Sequence, residues 1–200
     1  PSTLASVETG WADWSNPSNA STSNDSYATS IISAGGTSDY LKATNFGFSI
    51  PNGATIDGIV VQIERKRESG SNIKDYEVKI VKGGSIGSTN KADTSTVYPL
   101  TDTVASYGSS SDKWGLSWTA EDISGSGFGV ALTSVASIFG TAYVDAFTIT
   151  VYYTYTVATV HPAVPTTHYI YEATFPISTP DISPVVKEIV DRAGWTAGSD

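Results

Sequence analysis

The sequence predicts an all-β fold: an antiparallel two-sheet β-sandwich, jelly-roll-like, followed by an extended C-terminal arm ending in a short helix. Three observations lead there. Apolar residues alternate with polar ones at a period of two through residues 46–92 and again at 147–154, the pattern of strands that bury one face. Turn signals, Pro51-Asn52-Gly53, Ser69-Gly70-Ser71-Asn72 and Gly83-Gly84-Ser85, separate these runs. The chain is 40% hydrophobic but only 16% charged, so a sizeable core is possible and the remaining polarity comes from turn-forming Ser, Thr, Asn and Gly.

In chain order, residues 1–39 are rich in Ser, Thr and Asn, with isolated aromatics at Trp11, Trp14 and Tyr27. A first strand is expected from Tyr27 through Ile31, and a second over Asp39–Ile50, with Leu41, Ala43, Phe46 and Phe48. In the central block, Ile59, Val61 and Ile63 share one face, opposite Val60, Gln62, Glu64 and Lys66. Tyr76, Val78 and Ile80 repeat the pattern between Glu77 and Lys79. Residues 83–96 read as a loop, and a short strand is expected near Val104. Trp114, Leu116 and Trp118 alternate toward the core. Thr119 suits a helix N-cap, with Glu121 and Asp122 favourably placed in its first turn. Phe128, Val130 and Leu132 form another strand. The last has Phe147, Ile149, Val151 and Tyr153 on one face.

The division expected is a sandwich over 1–155 and a proline-rich segment over 156–200, which is either an arm or the opening of a second domain. Pro162, Pro165, Pro176, Pro180 and Pro184 punctuate the latter, removing donors and fixing φ. Beyond them, Ser183 as cap, Pro184 at the first helical position and Gly194 as stop frame a helix with Val185, Val186, Ile189 and Val190 as a narrow apolar stripe.

A net charge of −9 disfavours binding to phosphate backbones. Arg65-Lys66-Arg67, flanked by Glu64 and Glu68, reads as a solvated strand end. With no cysteine, disulfides and thiol catalysis are excluded. No apolar run is long enough for a membrane-spanning helix, and no secretory signal opens the chain. Pro1 fits a mature start after methionine removal, as it also fits simple trimming.

The run from Ile50-Pro51-Asn52-Gly53-Ala54 to Val81-Lys82-Gly83-Gly84 resembles a β-sandwich module of tailed-bacteriophage virion structural proteins. The stretches Asn16–Thr29, Trp114–Leu132 and Thr148–Thr154 follow in a compatible order. The resemblance implies a sandwich and a virion setting, as a capsid decoration (cement) or tail-associated protein, and supplies no catalytic residues. The segment Pro180–Asp200 is similar to part of another bacterial and phage β-sandwich family, in which further strands follow.

Little in the chain points to catalysis. His161 and His168 lack metal-site spacing. Glu64, Asp75, Asp112, Glu121 and Asp145 are available carboxylates, but nothing pairs them as a glycosidase requires, and Asp145 suits the ordering of a loop. Calcium is the stronger metal possibility, through Asn24, Asp25, Asp39 and Asp112, although turns alone explain these residues; no cofactor is expected.

The expectation is therefore a non-enzymatic virion protein of a tailed phage, acting by contact with other virion proteins and as a homo-oligomer, with a trimer as one symmetry. Contact residues expected are Trp11, Trp14, Tyr169, Tyr171, Phe175, Val185, Ile189 and Trp195. The alternatives are a carbohydrate-binding or adhesive module that stacks a host surface glycan on Trp11 and Trp14, and an extracellular filament subunit. No nucleic-acid or membrane partner is expected.

Overall fold

The computed structural model describes residues 1, 3–7 and 12–156. Its strands are β1 (Thr3–Val7), β2 (Ala28–Ile32), β3 (Tyr40–Thr44), β4 (Thr55–Arg67), β5 (Ile73–Lys82), β6 (Ser85–Asn90), β7 (Thr103–Ser109), β8 (Gly129–Ala136) and β9 (Gly140–Thr154). A 3-10 turn at Pro17–Ala20 and one short helix, α1 (Ala120–Ser124), complete the elements. One sheet is ordered β1-β3-β8-β5-β6 and the other β2-β9-β4-β7. All named pairings are antiparallel. β2–β9 thus fill two four-stranded layers in jelly-roll order, changing sheet at every step except from β5 to β6, and β1 adds a fifth strand outside β3.

The core lies between the layers. Ile59, Val61 and Ile63 of β4 are fully buried, as are Val78 of β5, Val130 and Leu132 of β8, and Val144 and Val151 of β9. Burying each such side chain stabilises the fold by roughly 1.5–3 kcal/mol. Trp114, Phe128 and Ile123 join the same cluster.

Several local expectations need correction. The strand expected over 39–50 stops at Thr44, because Asn45 (φ 58°) and Gly47 (φ 75°) turn left-handed. Phe46 and Phe48 stack instead, centroids 6.3 Å apart, and cover the core edge. Residues 83–96 contain a strand: Gly83 and Gly84 both have positive φ and join β5 to β6 as a two-residue hairpin. Trp114, Leu116 and Trp118 do pack on the core, but from a turn, with Trp114 at φ 56° and Gly115 at 70°. Thr119 caps α1 as expected: its side chain accepts from the Asp122 amide, and Asp122 accepts from the Thr119 amide.

Two bulges change which side chains face inward. β5 slips between Asp75 and Glu77, leaving Tyr76 unpaired and 49% exposed. Tyr76 therefore does not share the buried face of Val78 and Ile80. In β9, Asp145 is the extra residue opposite Glu64 and Arg65. Its carboxylate accepts from the amides of Asn24 (3.1 Å) and Asp25 (3.2 Å), fixing the loop before β2. His161, His168 and the helix pattern at 183–194 lie outside the described residues.

Candidate docking groove beside strand β7

Among the described residues, β7 is the outer strand of its sheet and pairs with β4 alone. Its register runs unbroken from Ile59↔Ser109 to Arg65↔Thr103. In an antiparallel ladder alternate residues aim N–H and C=O away from the partner, so the outer side of β7 presents a row of backbone donors and acceptors. Its sequence, Thr-Val-Ala-Ser-Tyr-Gly-Ser, contains none of the charges or prolines that usually blunt an edge. The other edges differ. Ser15 exchanges both backbone hydrogen bonds with Thr29 on the outer side of β2, β6 loses register between Lys79 and Val81, and β1 is only five residues long.

Along β7 runs a groove of about 710 Å³. One wall is β7 itself; the other includes Lys91, Ala92, Asp93, Thr96 and Pro99, with Asp112 at one end and Arg65 also lining it. Lys91 and Asp112 form an ion pair at 2.7 Å. Burial would raise the Asp112 pKa, but the bond from Lys91 and the Trp114 amide outweigh it and hold the carboxyl below its ordinary value. Hydrogen bonds from Ser95 and Thr96 likewise hold the exposed Asp93 carboxyl below its usual range.

A buried polar network backs the groove. Arg65 on β4 reaches Asp75 on β5 in the opposite sheet, with Nε donating to Oδ1 (3.2 Å) and Nη2 to Oδ2 (3.1 Å). Asp75 is fully buried and also accepts from the Tyr98 hydroxyl (2.8 Å), the Tyr107 hydroxyl (2.7 Å) and the Asp93 amide (3.2 Å). The Tyr98 ring lies 4.1 Å from the guanidinium carbon, and its hydroxyl also meets Ser134 at 2.9 Å. Burial raises the pKa of both tyrosines, and the neighbouring Asp75 charge adds to it. For Arg65 burial acts downward, but Tyr98, Asp75 and Tyr107 outweigh it and hold the guanidinium above its ordinary value. Both Asp75 oxygens are thus held by several donors, so the network positions the groove wall.

The basic run at 65–67 is therefore not a solvated strand end. Lys66 donates to Tyr27 (2.6 Å) and Asp102 (3.2 Å), and Arg67 to the carbonyls of Tyr98 (2.8 Å) and Ser71 (2.9 Å). Arg65 was legible in one respect: it continues the inward alternation of Ile59, Val61 and Ile63. Sequence reasoning missed its partner, because the bulge at Tyr76 hides the inward phase shared by Ile73 and Asp75.

Of the contact residues expected from sequence, Trp14 is corrected. It is 3% exposed, and its indole donates to the Asp39 carbonyl at 2.8 Å, so it stacks no sugar. Trp11, Tyr169, Tyr171, Phe175, Val185, Ile189 and Trp195 lie outside the described residues. Among the described residues, no three His, Cys, Asp or Glu side chains converge as a metal site. Asp25 accepts from Tyr27 (3.2 Å), Asp39 is buried, and Asp112 is held by Lys91. A second surface missed from sequence is the β8–β9 turn. Ile138 and Phe139 are 50% and 64% exposed there, next to the exposed Ile31 of β2, which pairs across to Thr141.

Comparison of this chain with protein-family models, with curated proteins and with solved structures finds no match in any of the three.

Proposed function

We propose that this chain is a non-enzymatic virion structural protein of a tailed phage, a capsid decoration or tail-associated subunit that acts through protein–protein contacts. The observation that carries the contact role is the β7 edge, uncharged and, among the described residues, unpaired, beside its groove. Such an edge is a template for added main chain. The exposed Ile31, Ile138 and Phe139 supply a further apolar surface suited to a protein partner. The virion setting rests on the sequence resemblance in residues 50–84, 16–29, 114–132 and 148–154.

The buried Asp75 and Asp145 are spent on internal hydrogen bonds, which takes both away from general acid–base work. Trp14 in the core removes one of the aromatics on which the glycan-binding alternative relied.

The test is to mix the purified chain with separated capsids and tails of the phage that encodes it. Saturable co-sedimentation with either particle, and a matching density in micrographs, is the expected result. A chain that binds neither particle, or that instead binds a glycan on an array with specificity, overturns the reading.

A further inference from the structure

We propose that the β7 edge pairs with the β7 edge of a second copy of this chain, antiparallel across a two-fold axis at Ala105, so that the two four-stranded sheets join into one. The proposal rests on the contact role above and deepens it by naming the partner at that edge.

The backbone fixes which groups face outward. Ile59 donates to the Asp112 carbonyl (2.9 Å) and Arg67 to the Pro99 carbonyl (2.9 Å), both on the β7 side of β4. The register between β4 and β7 is unbroken, so the odd-numbered residues of β4 from Ile59 to Arg65 turn their backbone groups toward β7. Opposite them, Thr103, Ala105 and Tyr107 turn theirs toward β4, and those of Val104 and Ser106 point outward. An antiparallel pair exchanges hydrogen bonds between two such outward residues. With the axis at Ala105, Val104 of each copy lies opposite Ser106 of the other, and both pairs meet that condition. An axis at Ser106 would instead use Gly108, whose φ of 81° departs from the extended geometry of a ladder.

Charge favours a second copy in that orientation. The chain carries a net charge of −9, so copies repel in general, but β7 itself is uncharged. The groove wall beside it is polarised along its length. Asp93 lies at the Thr103 end, where its amide donates to Asp75, the partner of Arg65. Its carboxylate accepts from Ser95 and Thr96 and, among the described residues, meets no cation. Lys91 lies at the Ser109 end, paired with Asp112, whose carbonyl accepts from Ile59. The two-fold rotation exchanges the ends and brings Asp93 of each copy toward Lys91 of the other. A parallel pairing would set like ends together.

The pairing is closed. It uses the β7 edge of both copies and leaves none for a third, so it gives a dimer rather than the trimer that the sequence also allowed. An edge that would otherwise template indiscriminate pairing is thereby covered, and Val104, 51% exposed, packs beside Ser106 of the second copy. β2 is the opposite edge of the same sheet. Ile31, Ile138 and Phe139 beside it stay open to the particle in the contact role proposed above.

Sedimentation equilibrium of the full chain is expected to give twice its mass of 21.0 kDa. Ser106→Pro removes an outward N–H while sparing the ladder to β4, and is expected to weaken dimerisation by about tenfold or more with the far-UV circular dichroism unchanged. A second measurement needs no disruptive variant, because the chain has no cysteine. Ala105→Cys faces itself across the axis in a non-hydrogen-bonded pair, where Cβ atoms lie about 4.5–5.5 Å apart, close to disulfide reach. Under mild oxidation it is expected to link two chains about tenfold more than Ile31→Cys, a more exposed position on the β2 edge, because pairing raises the local concentration. A monomer, whether its β7 edge is bare or covered by another segment, overturns the proposal. So does an oligomer that folded Ser106→Pro leaves unchanged, or an Ala105→Cys that links no better than Ile31→Cys. None of these readouts needs a phage particle, so a chain that dimerises but binds neither capsids nor tails sinks only the virion reading.

Discussion

Arg65 and Asp75 bind each other across the two sheets, the guanidinium on β4 forked onto the carboxylate on β5 at 3.2 and 3.1 Å, with both side chains almost fully enclosed. Such a pair is costly to bury and costly to break, but not costly to replace. Asp75→Ala strands the Arg65 charge and leaves the hydroxyls of Tyr98 and Tyr107 without their acceptor. A loss of about 3–5 kcal/mol is expected. The double variant Arg65→Met with Asp75→Leu removes both charges and should recover most of that loss. Urea unfolding of the wild type and the two variants measures both; a single variant within about 1 kcal/mol of wild type is the contrary result.

The same network sets a limit at alkaline pH. Burial, and then the Asp75 charge, raise the pKa of Tyr98 and Tyr107 in the folded protein. An unfolded tyrosine releases its proton near pH 10. Above that, the unfolded state holds fewer protons than the folded one, so stability falls as pH rises. The tyrosine contribution is fully present below about pH 10 and is lost as pH climbs toward the raised folded values. Urea midpoints should hold from about pH 8 to about 10 and fall above that, more steeply in the wild type than in Tyr107→Phe. Parallel curves would contradict the assignment.

How much of this was legible follows from where period-two alternation holds. β4 keeps its phase from Ile59 to Arg65, so its core face could be read from the sequence. β5 does not keep its phase: Ile73 and Asp75 point inward, Tyr76 is extruded, and Val78 and Ile80 point inward again. No residue type marks that bulge, so its inward carboxylate looked like an ordinary strand-side acid. Trp14 was misread because a Ser- and Asn-rich neighbourhood resembles a surface loop. Its burial depends on contacts with Asp39, distant in sequence. The β7 groove was invisible for a different reason, since an edge is defined by which strand fails to pair.

The bulge itself is testable by contrast. Tyr76, in phase with Val78 and Ile80, would be a core residue if the alternation ran unbroken. With the bulge it faces solvent, and Tyr76→Ser should change stability by no more than about 0.5 kcal/mol. Ile80, 1% exposed, should cost about 2–5 kcal/mol on truncation to Ala. Equal losses in thermal or urea melts would mean that β5 pairs in one register throughout.

Gly108 and Trp114 make a similar contrast possible for strain. Gly108 has φ 81°, and a Cβ there would lie 2.3 Å from the Ile59 carbonyl oxygen and 2.9 Å from the Trp114 indole nitrogen. That indole donates to the same Ile59 carbonyl at 3.0 Å, which locks the Trp114 turn onto β4. Gly70 has nearly the same φ, 82°, but open space around it. Gly70→Ala therefore carries only the left-handed backbone penalty, about 1–2 kcal/mol. Gly108→Ala carries that penalty and must also push β7 or Trp114 away from β4, so its loss should exceed the Gly70→Ala loss by about 1 kcal/mol or more. Urea unfolding of the two variants side by side isolates the crowding, and equal losses would show that β7 and Trp114 do not sit against Ile59 this closely.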